Sequence, residues 1–213
     1  LAKKLQKTSD LVLFFRHYLY TFQYPGAHLK SHEIKRLIDA GVKFHPAKII
    51  LSVCLYGQKR QKNDSNFGIS KEEVTFHIFN DLRVTKDGKK SELIYDAIIS
   101  SRLNKSTYDS QGDVIRYAGD ILDYLVLANL MSRRLDGRYY LKMSELSVIQ
   151  KFIIKDKFFD FYDIFYEEKD INLQEINKLK IEWIKYVNKD LETLEFDSNI
   201  LNIFDTIKDE NIA

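Results

Sequence analysis

The sequence contains few of the residues on which several common kinds of protein depend. It has one cysteine, Cys54, in 213 residues, which excludes a disulfide framework and a thiolate zinc site. No run approaches the ~18 consecutive apolar residues of a transmembrane helix, and the opening LAKKLQKTSD is too polar for a signal peptide. We therefore expect a cytoplasmic protein with no membrane partner. Because the chain begins at Leu1 rather than at methionine, we also expect a fragment of a longer protein.

Motifs for nucleotide and metal binding are also missing. Neither GxGxxG nor a P-loop occurs, so no glycine-rich phosphate cradle is predicted. His28 and His32 have the spacing of two zinc ligands on one helical turn. However, Ser31 between them is typical of a helix cap, and no third ligand is evident. No metal site is predicted in this chain.

What the sequence does contain is typical of a folded, helical protein with an uneven charge distribution. Hydrophobic residues make up 45% and charged residues 30%, which excludes a disordered chain. Residues 1–56 hold nine Lys/Arg against three Asp/Glu, residues 57–142 fifteen against twelve, and residues 143–213 nine against sixteen. The positive first two thirds favour an anionic partner, although ordinary solvated helix faces are an alternative explanation.

Helix signals divide the N-terminal part into recognisable segments. A helix over LVLFFRHYLYTF should end before Pro25, which lacks an N–H group and restricts the preceding residue. A second, short helix is expected from Ser31 to Gly41. These elements predict an N-terminal helical segment, residues 1–44.

The middle of the chain begins with three further helical signals. Pro46 suits the first turn of a helix, which we expect to end at Gly57. Ser70 and Glu73 form a capping box that opens another helix. Apolar residues within 113–126 then recur at helical spacing.

A hairpin signal follows this third helix. Asp136-Gly137 lies between the apolar or aromatic runs LANLMSRRL and RYYLK, which is a strong short-range indication of a β-hairpin. Three helices followed by a hairpin is the order of a winged helix. The predicted fold class is therefore mainly α with a small β wing: a winged-helix (helix-turn-helix) subdomain over residues 45–142, flanked by helical segments.

Residues 143–213 read as an acidic, aromatic-rich helical linker region. The run Glu167-Glu168-Lys169, with Asp160 or Asp163 upstream, imitates the D…ExK signature of metal-dependent nucleases. That chemistry needs carboxylates that converge on a metal from adjacent strands, whereas these residues share one short, helical stretch. No catalytic residue is predicted in this chain.

A winged helix binds DNA with the start of its third helix in the major groove and its wing near the backbone. Arginine can form two hydrogen bonds to a guanine edge, and Asn or Gln can form two to an adenine edge. Lysine binds phosphate as a point charge. The predicted base-reading residues are Arg102, Asn104, Gln111 and Arg116. The predicted phosphate contacts are Lys59, Arg60, Lys62, Lys89, Lys90, Lys105, Arg133, Arg134 and Arg138. An alternative explanation is that these charges are solvated on a protein-interaction module, with residues 57–68 and 86–90 as ordinary surface loops.

Three segments resemble the AlwI-type (type IIS) restriction and nicking endonucleases. Their order and spacing fit that family over about residues 1–150. LAKKLQKTSDLVLFFRHYLYTFQYPG is similar to that family's helix and Gln-Tyr-Pro-Ser turn, with Gly26 in place of the serine. FHPAKIILSVCLYG, followed by GISKEEVTFHIF, is similar to the family's N-P-x-x-x-x-L-x-L-L helix and G-L-S-K-x-(D/E). DVIRYAGDILDYLVLANLMSRRLDGRYYL resembles the stretch that begins with its D-V. The matching residues are Gln23, Tyr24, Pro25, His45, Pro46, Ile50, Leu51, Leu55, Gly68, Ile69, Ser70, Lys71, Glu72, Asp113, Val114, Leu130, Gly137 and Leu141.

The resemblance implies a bipartite enzyme. Its N-terminal region would read a short asymmetric site in double-stranded DNA, and a C-terminal PD-(D/E)XK nuclease domain would cut outside that site with Mg²⁺. This chain would correspond to the recognition region and the start of a linker, so it should hold no cofactor itself. Its partners would be DNA and the nuclease domain of the same parent protein.

Two other functions fit the same residues. One is a winged-helix transcription or replication regulator that dimerises through the C-terminal helix and binds a palindromic site. The other is a module that binds another protein through its acidic helix rather than binding DNA.

Overall fold

A computed structural model describes residues 8–26, 28–61, 66–108, 112–154, 178 and 181–182. The chain divides into two compact units, one formed by residues 1–42 with 157–213 and the other by residues 43–156. In the described ranges no helix is long and apolar enough to cross a membrane.

The helices are α1 Thr8–Thr21, α2 Ser31–Asp39, α3 Pro46–Arg60, α4 Lys71–Val74, α5 Leu82–Thr85, α6 Ser91–Leu103, α7 Asp113–Leu127 and α8 Leu146–Ile154, with a π-helical turn at Thr75–Phe79 and a 3₁₀ turn at Met143–Glu145. The strands are β1 Gly68–Ile69, β2 Met131–Arg133 and β3 Tyr139–Leu141. The prediction of a mainly α chain with a small β element is confirmed.

The helices with described bounds in the first unit are α1 and α2. The expected helix before Pro25 is present and ends at Thr21, and the Tyr24–Pro25 peptide bond is cis. The second helix buries Ile34 and Ile38, which lie one turn apart on one face. At its start the Lys30 N–H donates to the Glu33 carboxylate at 2.8 Å. Gly41, with a φ of 72°, follows the end of this helix as predicted.

The second unit is built around α3. This helix packs against α6, α7, α8 and β3, and Ile50, Leu51 and Val53 on it are fully buried. Ile94 and Ile98, one turn apart on α6, are also fully buried. These buried residues mark the core side of α3 and α6. The predicted subdomain over 45–142 lies within this unit, which continues through α8.

The strands form one antiparallel sheet in the order β1-β3-β2. The predicted hairpin is confirmed: Met131 pairs with Leu141, and Arg133 pairs with Tyr139. On the other side of β3, Gly68 pairs with Tyr140. Gly68 is required there because a Cβ atom on it would lie 2.4 Å from the Tyr140 ring. The sheet therefore fixes the hairpin to the segment that leads into α4.

The prediction that α3 ends at Gly57 is wrong. The helix runs through this glycine to Arg60. The glycine serves packing, because a Cβ atom on it would lie 2.5 Å from the Phe67 ring, and Phe67 is only 1% exposed.

We expect Gly57→Ala to destabilise the protein by up to about 2 kcal/mol, although alanine is the better helix former. The added methyl group overpacks the Phe67 contact, and this cost exceeds the gain of about 1 kcal/mol in helix propensity. Gly119→Ala in α7 is the matched control, since nothing lies within 4 Å of its added Cβ atom. It should stabilise the protein by about 0.5–1 kcal/mol. Urea unfolding of both variants measures the two changes, and equal effects would contradict the packing role of Gly57.

Cys54 provides a probe of unfolding. The thiol lies on α3, fully buried, and burial is the main cause that raises its pKa. Because the thiolate is the reactive form, we expect no reaction with an aromatic disulfide reagent in the native protein. One thiol per chain should react in denaturant, with the same midpoint as the loss of helical circular dichroism. Rapid labelling of the native protein would contradict the placement of Cys54 in the core.

Candidate nucleic-acid interface

The turn between β2 and β3 is held rigidly by its own side chains. Gly137 takes a φ of 78°, which the left-handed region of this turn requires. The backbone N–H of Arg138 donates to Asp136 Oδ1 at 3.0 Å, and the Tyr140 hydroxyl donates to the other oxygen of Asp136. The Tyr140 hydrogen bond is the main cause that lowers the pKa of the Asp136 carboxyl. The turn therefore presents its remaining residues in one fixed arrangement.

Two of the predicted phosphate contacts lie exposed on this hairpin. The guanidinium of Arg134 stacks over the Tyr140 ring at 3.9 Å, and that of Arg133 lies 5.5 Å from the Tyr139 ring centre. Such stacking holds an arginine in place while leaving its N–H groups accessible. Both residues are exposed. They are therefore suited to bind an anion.

The third hairpin arginine points inwards, to a buried carboxylate. Arg138 Nη1 lies 2.8 Å from Glu73 Oε2. Arg102, at the end of α6, binds the same carboxylate from the other side, with its Nε 2.8 Å from Oε1 and its Nη2 2.9 Å from Oε2. Both arginines also donate to the Gly68 carbonyl oxygen. We call Glu73, Arg102 and Arg138 the carboxylate clamp.

The carboxylate clamp keeps Glu73 ionised inside the protein. Its side chain is 1% exposed, against 26% for Arg102 and 32% for Arg138. Burial raises the pKa of the Glu73 carboxyl. The hydrogen bonds and charge of Arg102, the Ser70 N–H and Arg138 outweigh burial, so that the net pKa is lowered. One ionised group thus joins three elements: the start of α4, the end of α6 and the hairpin.

The end of α6 leads into an exposed polar segment. Asn104 and Lys105, two predicted DNA contacts, are exposed there, and Lys105 has a φ of 50°. A few residues on, the Tyr108 hydroxyl lies 3.3 Å from His77 Nε2. Tyr108 also lines a concave surface together with Arg133 and Arg138. The structure therefore brings the segment after α6 close to the hairpin.

The predicted third helix, α7, does not present a cationic surface. Arg116 is exposed, but it pairs with Asp113 at 3.2 Å. Asp120 and Asp123 are exposed on the same helix. Arg116 is therefore accessible for the predicted base contact, although carboxylates outnumber it on the exposed side of α7.

The remaining predicted phosphate contacts lie elsewhere in the second unit. Lys59 and Arg60 are exposed at the end of α3, where Arg60 donates to the Tyr56 hydroxyl at 2.9 Å. Lys90 is exposed at the start of α6, about 18 Å along the helix axis from Arg102. Lys89 has its side chain 8% exposed in an ion pair with Asp81 at 3.1 Å. Its ammonium group is therefore used inside the protein rather than on the surface.

Several predicted residues lie outside the described residues. These are the base contact Gln111, the phosphate contact Lys62 and the carboxylates of the nuclease-like run near Glu167. In the ranges that are described, no group of three or more His, Cys, Asp or Glu residues is placed to hold a metal ion.

Sequence reasoning missed the role of Glu73. The capping box with Ser70 was predicted and is confirmed, but the same carboxylate also accepts two arginines from residues 29 and 65 positions away in the chain. No local pattern encodes such a pairing.

Comparisons with known proteins place the chain in a family. The family model described as "Restriction endonuclease BpuJI - N terminal" matches residues 1–184. The chain belongs to this family. A crystal structure of pyrene- and phenanthrene-modified DNA in complex with the BpuJ1 endonuclease binding domain has a similar fold, with a TM-score of 0.69 at 22% identity. That match covers 84% of this chain and 64% of the other. A search of curated proteins gives no match.

Membership of the BpuJI N-terminal family refines the resemblance noted in the sequence. The general prediction, the recognition region of a restriction endonuclease, agrees with the family. The matches are to BpuJI rather than to the AlwI-type enzymes specifically.

Proposed function

We propose that this chain recognises double-stranded DNA in a sequence-specific way, as the target-recognition part of a type II restriction endonuclease. The observation that carries the proposal is the rigid hairpin with exposed Arg133 and Arg134, which the carboxylate clamp holds beside the segment after α6. Phosphate binding needs accessible cations at fixed positions, and these two arginines meet both conditions. Membership of the BpuJI N-terminal family also supports the proposal that the chain is the recognition part of a restriction endonuclease.

We assign the predicted residues to three roles: phosphate contacts, base contacts and residues that position the others. Arg133 and Arg134 would bind phosphates, with Lys105 as a further contact. Asn104 and Arg116, which are exposed, and Gln111 remain the candidates for base edges, since amide and guanidinium groups can each form bidentate contacts. Arg102 and Arg138 would act as positioning residues, because each already donates to the Glu73 carboxylate and to the Gly68 carbonyl oxygen.

We further propose that residues 45–142 form a winged-helix subdomain. In support, the hairpin directly follows α7, and β1 joins the outer side of β3, so that the sheet order is β1-β3-β2. The hairpin would then be the wing, placed near the DNA backbone.

The finer assignment rests on the resemblance to AlwI-type enzymes. On this proposal the parent is a cytoplasmic type IIS hydrolase whose Mg²⁺-dependent nuclease domain lies outside this chain. The recognised site would be short and asymmetric. No residue of this chain would then take part in the chemistry of cleavage.

Selection of bound duplexes from random DNA, followed by titration at several salt concentrations, tests the proposal. We expect one short asymmetric sequence to be enriched. Its log–log salt dependence should have a slope of roughly −0.9 per phosphate contact. An enriched inverted repeat would favour a dimeric regulator instead. Failure to bind heparin or duplex DNA at low salt would exclude the DNA-binding function altogether.

A further inference from the structure

Leu135 is the most exposed large apolar residue in the described part of the chain. Its relative exposure is 109%, which means that the protein shields none of its side chain. It lies at the tip of the β2–β3 turn, directly after Arg133 and Arg134. A single exposed leucine is common on protein surfaces. The tip of a rigid, cationic hairpin is nevertheless an unusual place for one.

The turn that carries Leu135 is built to hold it in position. The Arg134 N–H donates to the Arg138 carbonyl oxygen at 3.0 Å, and the Gly137 N–H donates to the Arg134 carbonyl oxygen at 3.0 Å. Asp136, the next residue, accepts hydrogen bonds from within the hairpin, as described above. Because these hydrogen bonds already order the backbone of the turn, binding does not have to order it, which favours insertion of Leu135 into a partner.

Charge determines what kind of partner the tip can approach. Arg133 and Arg134 precede Leu135 and are exposed, whereas Arg138 neutralises the buried Glu73 on the inner side of the turn. The exposed carboxylates Asp120 and Asp123 make α7 a poor element to press against phosphates. The hairpin tip is therefore the better candidate to enter a groove of DNA.

We propose that Leu135 inserts as an apolar wedge between two stacked base pairs, from the minor groove of the recognised duplex. This inference rests on the proposed DNA recognition. Leucine is among the side chains that partially unstack base steps from the minor groove and kink the duplex there, while Arg133 and Arg134 would bind the phosphates beside that groove. Burial of the leucine against the bases compensates for part of the unstacking cost. The wedge would make recognition depend on how easily that base step unstacks.

Fluorescence of 2-aminopurine, placed in turn at each position of the selected duplex, tests the wedge with the full chain. We expect the wild type to raise the fluorescence severalfold at one base step, as unstacking does. Leu135→Ala should abolish that rise and weaken binding about tenfold. It should leave the salt slope unchanged, because no charge is removed. Leu135→Met should keep the fluorescence rise, since it also supplies an apolar wedge.

Leu82→Ala is the matched control, because Leu82 is 60% exposed and belongs to α5 rather than to the hairpin. It should change neither fluorescence nor affinity. Unfolding midpoints of all variants should be equal, which would separate binding from folding. The wedge is overturned if the wild type binds its duplex without unstacking any step, or if Leu135→Ala unstacks it equally well. If the wild type binds no DNA, the proposed function fails as well.

Discussion

Replacement of Glu73 by glutamine should lower the free energy of unfolding by about 3 kcal/mol. The substitution leaves the guanidinium groups of Arg102 and Arg138 without their common carboxylate, and breaking a buried pair in this way typically costs about 3–5 kcal/mol. We expect the lower end of that range because both arginines keep a quarter to a third of their side-chain exposure. Urea unfolding followed by circular dichroism measures the effect.

The neighbouring Glu72→Gln serves as the control for this substitution. It removes the same charge from the next position of α4, but Glu72 is not part of the carboxylate clamp. Its effect should stay within about 0.5 kcal/mol, as is usual for surface substitutions. If the two variants lose the same stability, the carboxylate clamp does not stabilise the fold.

The Glu73 contribution should also depend on pH. The folded protein holds the pKa of this carboxyl below its ordinary value, so ionised Glu73 stabilises the folded state. Its contribution is complete above the ordinary pKa and is lost as pH falls through the lowered one. The difference in unfolding free energy between wild type and Glu73→Gln should therefore be constant above about pH 5 and shrink below about pH 4. A difference that grows on acidification would contradict this sign.

Removal of both exposed hairpin arginines should produce the largest effect on DNA binding. With Arg133→Ala and Arg134→Ala combined, we expect affinity at about 50 mM salt to fall roughly 10–100-fold for all sequences alike. The log–log salt slope should become less steep by about 2, since each lost phosphate contact removes about 0.9. Stability should fall by at most about 1–2 kcal/mol, because the loss is limited to two exposed contacts with aromatic rings of about 0.5–1 kcal/mol each.

Removal of the same two charges from α2 provides the control. Lys35→Ala with Arg36→Ala gives the same change in net charge at residues that were not predicted to contact DNA. If binding depends only on the overall charge of the protein, both double variants will lose the same salt slope. If the hairpin is the contact, only the hairpin variant will lose it. Discrimination between the selected and a random duplex should be unchanged in both.

Much of the fold follows from local sequence patterns. Pro25, Pro46, the Ser70–Glu73 capping box and Asp136-Gly137 each act within a few residues, through fixed backbone angles or hydrogen bonds to near neighbours. These positions predicted helix starts, helix ends and the hairpin. Gly57 misled the prediction because a glycine that ends a helix and one that makes room for a ring look alike in sequence.

The candidate site was less predictable than the fold. Composition and hairpin position were sufficient to place Arg133 and Arg134 on a cationic hairpin. They could not show that Arg102, Arg138 and Lys89 are turned towards carboxylates, because which charges meet depends on contacts between residues far apart in the chain. The predicted DNA contacts within the site stay predictions until binding is measured.

The sequence by itself determined the helical character, the hairpin and the positive charge of the first two thirds, since each depends on residue types or on spacing of a few residues. Only the tertiary structure decided how the arginines divide between surface and interior. The reason is energetic. Glu73 is ionised in a buried position, and a buried charge must be paired with opposite charges. Arg102 and Arg138 supply these opposite charges. Arg133 and Arg134 remain exposed at the surface.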